Sequence, residues 1–141
     1  ETICGGAGAG PGFDGASGVH THMTNTRITD PEILELRYPL RVRGFSLRPG
    51  SGGAGKHEGG DGVVREIEAL SGTTVTLVSS SRFIPPFGLA GGGNAETGRQ
   101  YVRRKTGETE DVAGISRVEL EPGDTITIET PGGGGYGHAD E

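Results

Sequence analysis

The chain has 141 residues, of which 29 are Gly and 8 Pro, so these two make up about a quarter of it and bring it to the compositional edge of low complexity. No G-X-Y period runs through the glycines, which excludes a collagen-like rod. Thirteen Lys and Arg against nineteen Asp and Glu give a formal net charge of -6 with no basic cluster, so the electrostatic basis for binding a phosphate backbone is missing.

A hydrophobic share of 30% is low for a domain that must bury its own core. The chain opens on Glu1 rather than Met, and it reads as a portion of something longer. Nowhere is there an apolar run of the length a membrane span needs, or the charged and apolar regions of a secretory leader. The single Cys4 cannot form an internal disulfide, which is compatible with a reducing compartment and makes the cytoplasm the default expectation.

The glycines fall into four clusters, residues 5–18, 50–62, 88–93 and 132–137, separated by ordinary sequence. They share no internal period, which argues against a repeat solenoid. Just before the first cluster, Cys4 has no histidine in local register to activate it as a nucleophile, and it reads as a small buried residue.

Residues 13–27 gather Asp14, His20, His22, Asn25 and Arg27 within fifteen positions. In an extended chain His20 and His22 point the same way, so they are candidate metal ligands together with a carboxylate from elsewhere. Alternatively the imidazoles bond loop carbonyls, or they orient a carbonyl substrate while Arg27 stabilises negative charge.

One helix is expected. Asp30 can cap its free amides, Pro31 suits the first helical position, Ile33, Leu34 and Leu36 supply an apolar side, and Pro39 stops it. A strand over 40–47 follows.

The stretch Gly50-Ser51-Gly52-Gly53-Ala54-Gly55-Lys56 fits the phosphate-loop spacing. His57 stands where a hydroxyl should hold Mg²⁺, and Gly59, Gly60 and Gly62 oppose the helix that should follow, so a glycine turn between strands is preferred.

Residues 63–70 and 74–78 alternate with period two about Ser71-Gly72, as an antiparallel hairpin would, with Val75 and Leu77 on one face. A second hairpin is expected about Thr106-Gly107, with Lys105 opposite Glu108. A third pairs 117–120 with 125–130 through Glu121-Pro122-Gly123-Asp124, whose central Pro and Gly suit a type II turn.

Between the first two hairpins, Phe83, Phe87 and Leu89 flank Pro85-Pro86 and are expected to cover a sheet face, with Arg82 the exception. The four glycines 132–135 either fray at the chain end or approach another backbone closely. The class is mainly β (α+β): antiparallel hairpins with long Gly-rich loops and one short helix.

The strings Gly-Ala-Gly-Pro-Gly-Phe-Asp-Gly-Ala-Ser at 8–17, His20-Thr21-His22-Met23-Thr24-Asn25-Thr26-Arg27, Pro85-Pro86-Phe87-Gly88-Leu89-Ala90-Gly91-Gly92 and Thr130-Pro131 with the glycines to Tyr136 occur here in order. In these the chain resembles the hydantoinase B/oxoprolinase family over nearly its whole length.

The resemblance implies that residues 1–141 are a C-terminal fragment of such a domain, not an autonomous enzyme. The implied activity is ATP-dependent opening of a small cyclic amide such as 5-oxoproline or a hydantoin. ATP and Mg would be bound outside this chain, and a divalent metal is a further possibility. The implied partners are a hydantoinase A-type subunit or domain and upstream hydantoinase B residues, with no nucleic acid and no membrane.

Phosphorylating the amide oxygen would turn it into a leaving group before water attacks the ring carbon, with Arg27, His20 and His22 positioned to hold an oxyanion or intermediate. A β-rich assembly module without chemistry, and a fragment of an ATP-dependent ketone carboxylase, are the alternatives.

Overall fold

The computed structural model describes residues 1–21 and 24–140. Its regular elements are one helix, α1 (Pro31–Arg37), and seven strands: β1 (Leu40–Leu47), β2 (Val63–Ala69), β3 (Thr73–Val78), β4 (Arg99–Arg103), β5 (Thr109–Asp111), β6 (Ile115–Leu120) and β7 (Thr125–Glu129). The chain is mainly β, as expected.

Asp30 caps α1 through Oδ1, which accepts from the Glu32 amide at 2.9 Å and the Ile33 amide at 3.4 Å. Pro31 opens the helix, and only Leu34 of its apolar side is buried. β1 has the expected bounds.

Five strands form an antiparallel sheet in the order β1-β2-β7-β4-β5, and β3 pairs with β6 in a separate two-stranded ribbon. Ala69, Val102, Leu120, Ile126 and Ile128 make the core, with Ile67, Val75, Leu77 and Val118 packed against it from both sheets. The faces of β3 alternate, with Val75 and Leu77 half-buried and the threonines between them exposed.

Two of the three expected hairpins are corrected. β2 has both edges occupied, by β1 on one side and β7 on the other, so it offers none to β3 across Ser71-Gly72, and β3 turns away to β6. The turn at 121–124 forms as expected: the Asp124 amide donates to the Glu121 carbonyl at 3.0 Å and Gly123 has φ 93°. Yet the turn does not join a hairpin, because β7 enters the five-stranded sheet between β2 and β4. It hands the chain from one sheet to the other.

The hairpin β4–β5 is present, with Gly107 at φ 98° in its turn. The ion pairs there belong to Arg104, which meets Glu110 and Asp124 at 2.8 Å each, and not to Lys105 and Glu108. A further correction concerns Phe83, Phe87 and Leu89, which cover no sheet face and stand exposed.

Beside the sheets, the glycine clusters pack backbone against backbone. The Ala7 amide donates to the Ala16 carbonyl at 2.9 Å, Gly60 to Ala7 at 2.8 Å, Gly133 to Gly60 at 2.8 Å, Gly53 to Gly133 at 2.9 Å, and Gly135 to Gly93 at 2.9 Å. Each run therefore satisfies its buried amides on several neighbours in place of one ladder partner.

The spacing excludes side chains. A Cβ on Gly59 would fall on the Gly133 carbonyl oxygen, one on Gly133 on the Ala7 oxygen, and one on Gly134 on the Phe87 oxygen. The four tail glycines are buried, which decides between fraying and close approach: the backbone they approach is the chain's own.

Arg65 in β2 is fully buried. Its guanidinium donates to both carboxylate oxygens of Glu1, at 2.9 and 2.8 Å, and stacks on Phe45 with its carbon 5.2 Å from the ring centre. That pair of hydrogen bonds ties Glu1 to the sheet.

Gly133→Ala is expected to lower stability by about 3 kcal/mol or more, because neither backbone can give way. Gly72→Ala, with open space around it and no positive φ, should change stability little; thermal unfolding of the two variants checks this.

A second expectation concerns acid. Burial opposes ionisation of the Asp124 carboxyl, but hydrogen bonds from Arg104 and from the Glu121 and Lys105 amides outweigh it and hold the group below the usual carboxylate range. The stabilisation is therefore present above the unfolded value, about pH 4, and lost as pH falls through the folded one. Asp124→Asn should cost about 2 kcal/mol at neutral pH, and its difference from the parent should shrink below about pH 4 in denaturant titrations.

Candidate functional site

The segment carrying the candidate residues starts inside the glycine packing and then leaves it. The Gly15 amide donates to the Glu58 carbonyl at 2.7 Å, Gly18 to Asp61 at 2.9 Å and Val19 to Gly5 at 2.9 Å. The Ser17 hydroxyl accepts from the Asp61 amide at 2.8 Å. A Cβ on Gly15 would strike the Ala7 carbonyl, so the chain reaches Val19 held on both sides.

Beyond that point His20 is half-buried, while Thr24, Asn25, Thr26 and Arg27 are exposed. Among the described residues there, the Thr24 amide donates to the Thr21 carbonyl at 3.2 Å. The chain is gathered again at Asp30, the helix cap.

Asp14 is exposed but held. Its Oδ1 accepts from the Glu58 amide at 2.9 Å and lies 3.5 Å from His57 Nδ1, an ion contact when the imidazole is protonated. His57 itself is clamped by reciprocal backbone bonds with Tyr136, 3.0 and 2.9 Å long.

Among the described residues, no hydrogen bond or ion pair joins Asp14, His20, Asn25 and Arg27 to one another. His22, and with it the expected histidine pair, lies outside the described residues. No described group of three or more His, Cys, Asp or Glu is arranged to hold a metal ion.

Asp14 also borders a hollow of about 280 Å³ lined by Ser17, Glu58, Asp61 and the glycines at 50, 52, 53 and 59. Asp61 is already engaged there, accepting from the Gly52 amide at 2.9 Å. Lys56 is exposed, and the residues after it pair with Tyr136 rather than opening a helix, so the phosphate-loop spacing serves the glycine packing.

A larger groove, about 460 Å³, lies on the sheet face formed by Arg43, Glu66, Glu68, Arg103, Arg104 and Lys105. Its arginines are committed: Arg43 to Glu68 at 2.6 Å and Arg103 to Glu66 at 2.8 Å. Such pairs at a surface neutralise one another and add little energy.

Sequence reasoning passed over His57, noted only as a missing hydroxyl. Its partner Asp14 is 43 positions away, and nothing local signals the contact. Cys4 matches its expectation: it is buried, and burial raises its thiol above the ordinary value.

The sequence profile of the hydantoinase B/oxoprolinase family matches residues 1–139. The chain belongs to that family. It is 52% identical over 140 residues to a 5-oxoprolinase of Dictyostelium discoideum, covering 99% of this chain and 11% of that protein. To 5-oxoprolinase 1 of Arabidopsis thaliana it is 50% identical, covering 97% of this chain and again 11% of the relative.

The solved ATP-dependent caprolactamase of Pseudomonas jessenii superposes with a TM-score of 0.79 at 29% identity, over 96% of this chain and 25% of that one. A nucleotide-free acetone carboxylase superposes with a TM-score of 0.76 at 19% identity, over 96% of this chain and 22% of that one; there the likeness is one of fold. The chain thus spans about a ninth of the 5-oxoprolinases it matches. Among the described residues no helix is long and apolar enough to cross a membrane.

Because the thiolate is the reactive form, Cys4 should resist alkylation by iodoacetamide at neutral pH in the folded protein and react fully in denaturant. Mass spectrometry of the two samples checks this.

Proposed function

We infer that this chain is part of an ATP-dependent cyclic amide hydrolase that opens 5-oxoproline or a related ring, and that ATP, with its Mg²⁺, is bound outside residues 1–141. The observation that carries the reading is the match along essentially the full chain, at about half identity, to proteins named 5-oxoprolinase. The likeness to a solved ATP-dependent caprolactamase, also named for a cyclic amide, supports it.

The chemistry of the exposed segment suits that role. Amide resonance makes ring opening slow, and activation at the amide oxygen builds negative charge as water adds to the ring carbon. Arg27 is a permanent cation free of any carboxylate among the described residues, and it stands on the segment that leaves the body of the fold. Such a group offers stabilisation to developing negative charge when a larger enzyme closes over it. Asp14 and His20 precede it, Asp14 fixed by the Glu58 amide.

The fragment is not autonomous in this reading: four candidate side chains stand apart, and the remaining parts of the site come from a hydantoinase A-type part and from further hydantoinase B residues. The single buried cysteine suits a reducing compartment such as the cytoplasm.

A second reading has one observation in its favour. The glycine packing makes a stiff platform with few functional groups, as an assembly module would need.

The test uses the longer enzyme with its ATP-handling part present, and measures ATP-dependent ring opening. Arg27→Ala is expected to lower kcat/KM on the order of a hundredfold with assembly intact. Absence of turnover on any cyclic amide would reject the hydrolase, and unchanged turnover in Arg27→Ala would favour the assembly module.

A further inference from the structure

Four large apolar side chains at one end of the β3–β6 ribbon have no role in the fold. Val78 is 82% exposed, Ile115 77%, Phe83 91% and Ile84 80%. They are neighbours: Val78 and Ile115 are register partners, and the Ser79 amide extends the ladder to the Gly114 carbonyl at 2.9 Å. The Arg82 side chain lies against Gly114, so Phe83 and Ile84 leave from the same place.

The display is built, not frayed. Arg82 Nε donates to Gln100 Oε1 and its Nη1 to the Ser80 carbonyl, both at 2.7 Å. The Gly98 amide closes on Ser81, and Ala95 on Pro86, each at 2.9 Å. Ser81 at φ 55° and Ala90 at φ 52° are the two non-glycine residues held at positive φ among those described, and they bracket the segment. Backbone strain of this kind persists where the surroundings over-determine it.

Fixed aromatic and aliphatic groups in water are the signature of an interface centre. The patch also has a boundary. Along the same outward face the ribbon turns polar, with the Thr74 hydroxyl on Glu119 at 2.6 Å and Arg117 on Glu119 at 3.3 Å. Among the described residues neither β3 nor β6 has a partner on its other edge.

We propose that this end of the ribbon, Val78, Phe83, Ile84 and Ile115, is the surface on which the remainder of the same enzyme polypeptide packs, through an apolar face of its own. The proposal rests on the reading that this chain works within a longer enzyme. The occupant follows from proportion: in the relatives this fold is a ninth to a quarter of the polypeptide, so the bulk of their apolar surface lies outside it. An apolar patch without charge selects an apolar complement.

The experiment uses the full-length enzyme. Phe83→p-benzoylphenylalanine is irradiated and the cross-linked peptides are identified, with Arg117→p-benzoylphenylalanine as the polar-end control. The expected product joins position 83 to a peptide of the same polypeptide outside residues 1–141, with none from position 117. A cross-link to a second copy of this patch, to a different subunit, or to nothing overturns the proposal.

Carbene footprinting of the unaltered enzyme guards against a misfolded variant. Phe83 and Ile84 should label roughly tenfold less than in a free peptide of residues 79–90, as side chains closed into an interface core do. Labelling equal to the peptide also overturns it. Neither readout depends on turnover, so a failed ring-opening assay rejects the proposed reaction while these measurements still decide the surface.

Discussion

At Gly59 the chain runs so close to Gly133 that the space a methyl group would fill already holds a carbonyl oxygen, and the same closeness recurs at Gly133 against Ala7 and at Gly134 against Phe87. Amides and carbonyls of separate runs saturate one another across these gaps. The position of Asp14 follows from this contact: it meets Glu58 and His57 only because Gly15 lets its run settle onto the 57–61 run.

The packing also accounts for a small core. Five buried apolar residues hold the two sheets together, few for a chain of this length. The remaining half of the molecule is ordered by hydrogen bonds between main chains, each worth about 1 kcal/mol net and together offsetting the large entropy loss of fixing glycine. A fold built this way leaves apolar side chains unused in its interior and free for contact elsewhere, as at Phe83 and Ile84.

What the sequence disclosed follows the range of the forces involved. The helix was legible because Asp30, Pro31 and Pro39 act within one turn of it, and β1 because its bounds are a proline and a Pro-Gly step. The turn at 121–124 was legible for the same reason, but the partner of β7 was not: strand pairing is settled by which edges remain open, and β2 and β4 closed theirs on β7 from 57 and 22 residues upstream, as the registers Glu68 with Thr125 and Arg103 with Thr125 record. In the candidate site, Asp14 was visible as a residue and invisible as a contact. The glycine clusters could be counted along the chain, but which cluster lies on which is a property of three dimensions alone.

The glycine lattice has an evolutionary corollary. A position whose neighbour is a carbonyl oxygen accepts hydrogen and nothing larger, so Gly6, Gly15, Gly52, Gly53, Gly59, Gly60, Gly62 and the glycines 132–135 form a mould that only glycine fills. The glycines within the strings that reveal kinship are therefore imprints of packing, and by themselves they say nothing of chemistry. A change of side chain is accommodated instead in spans that touch no lattice, and Thr24 to Arg27, exposed and outside the mould, is one of them.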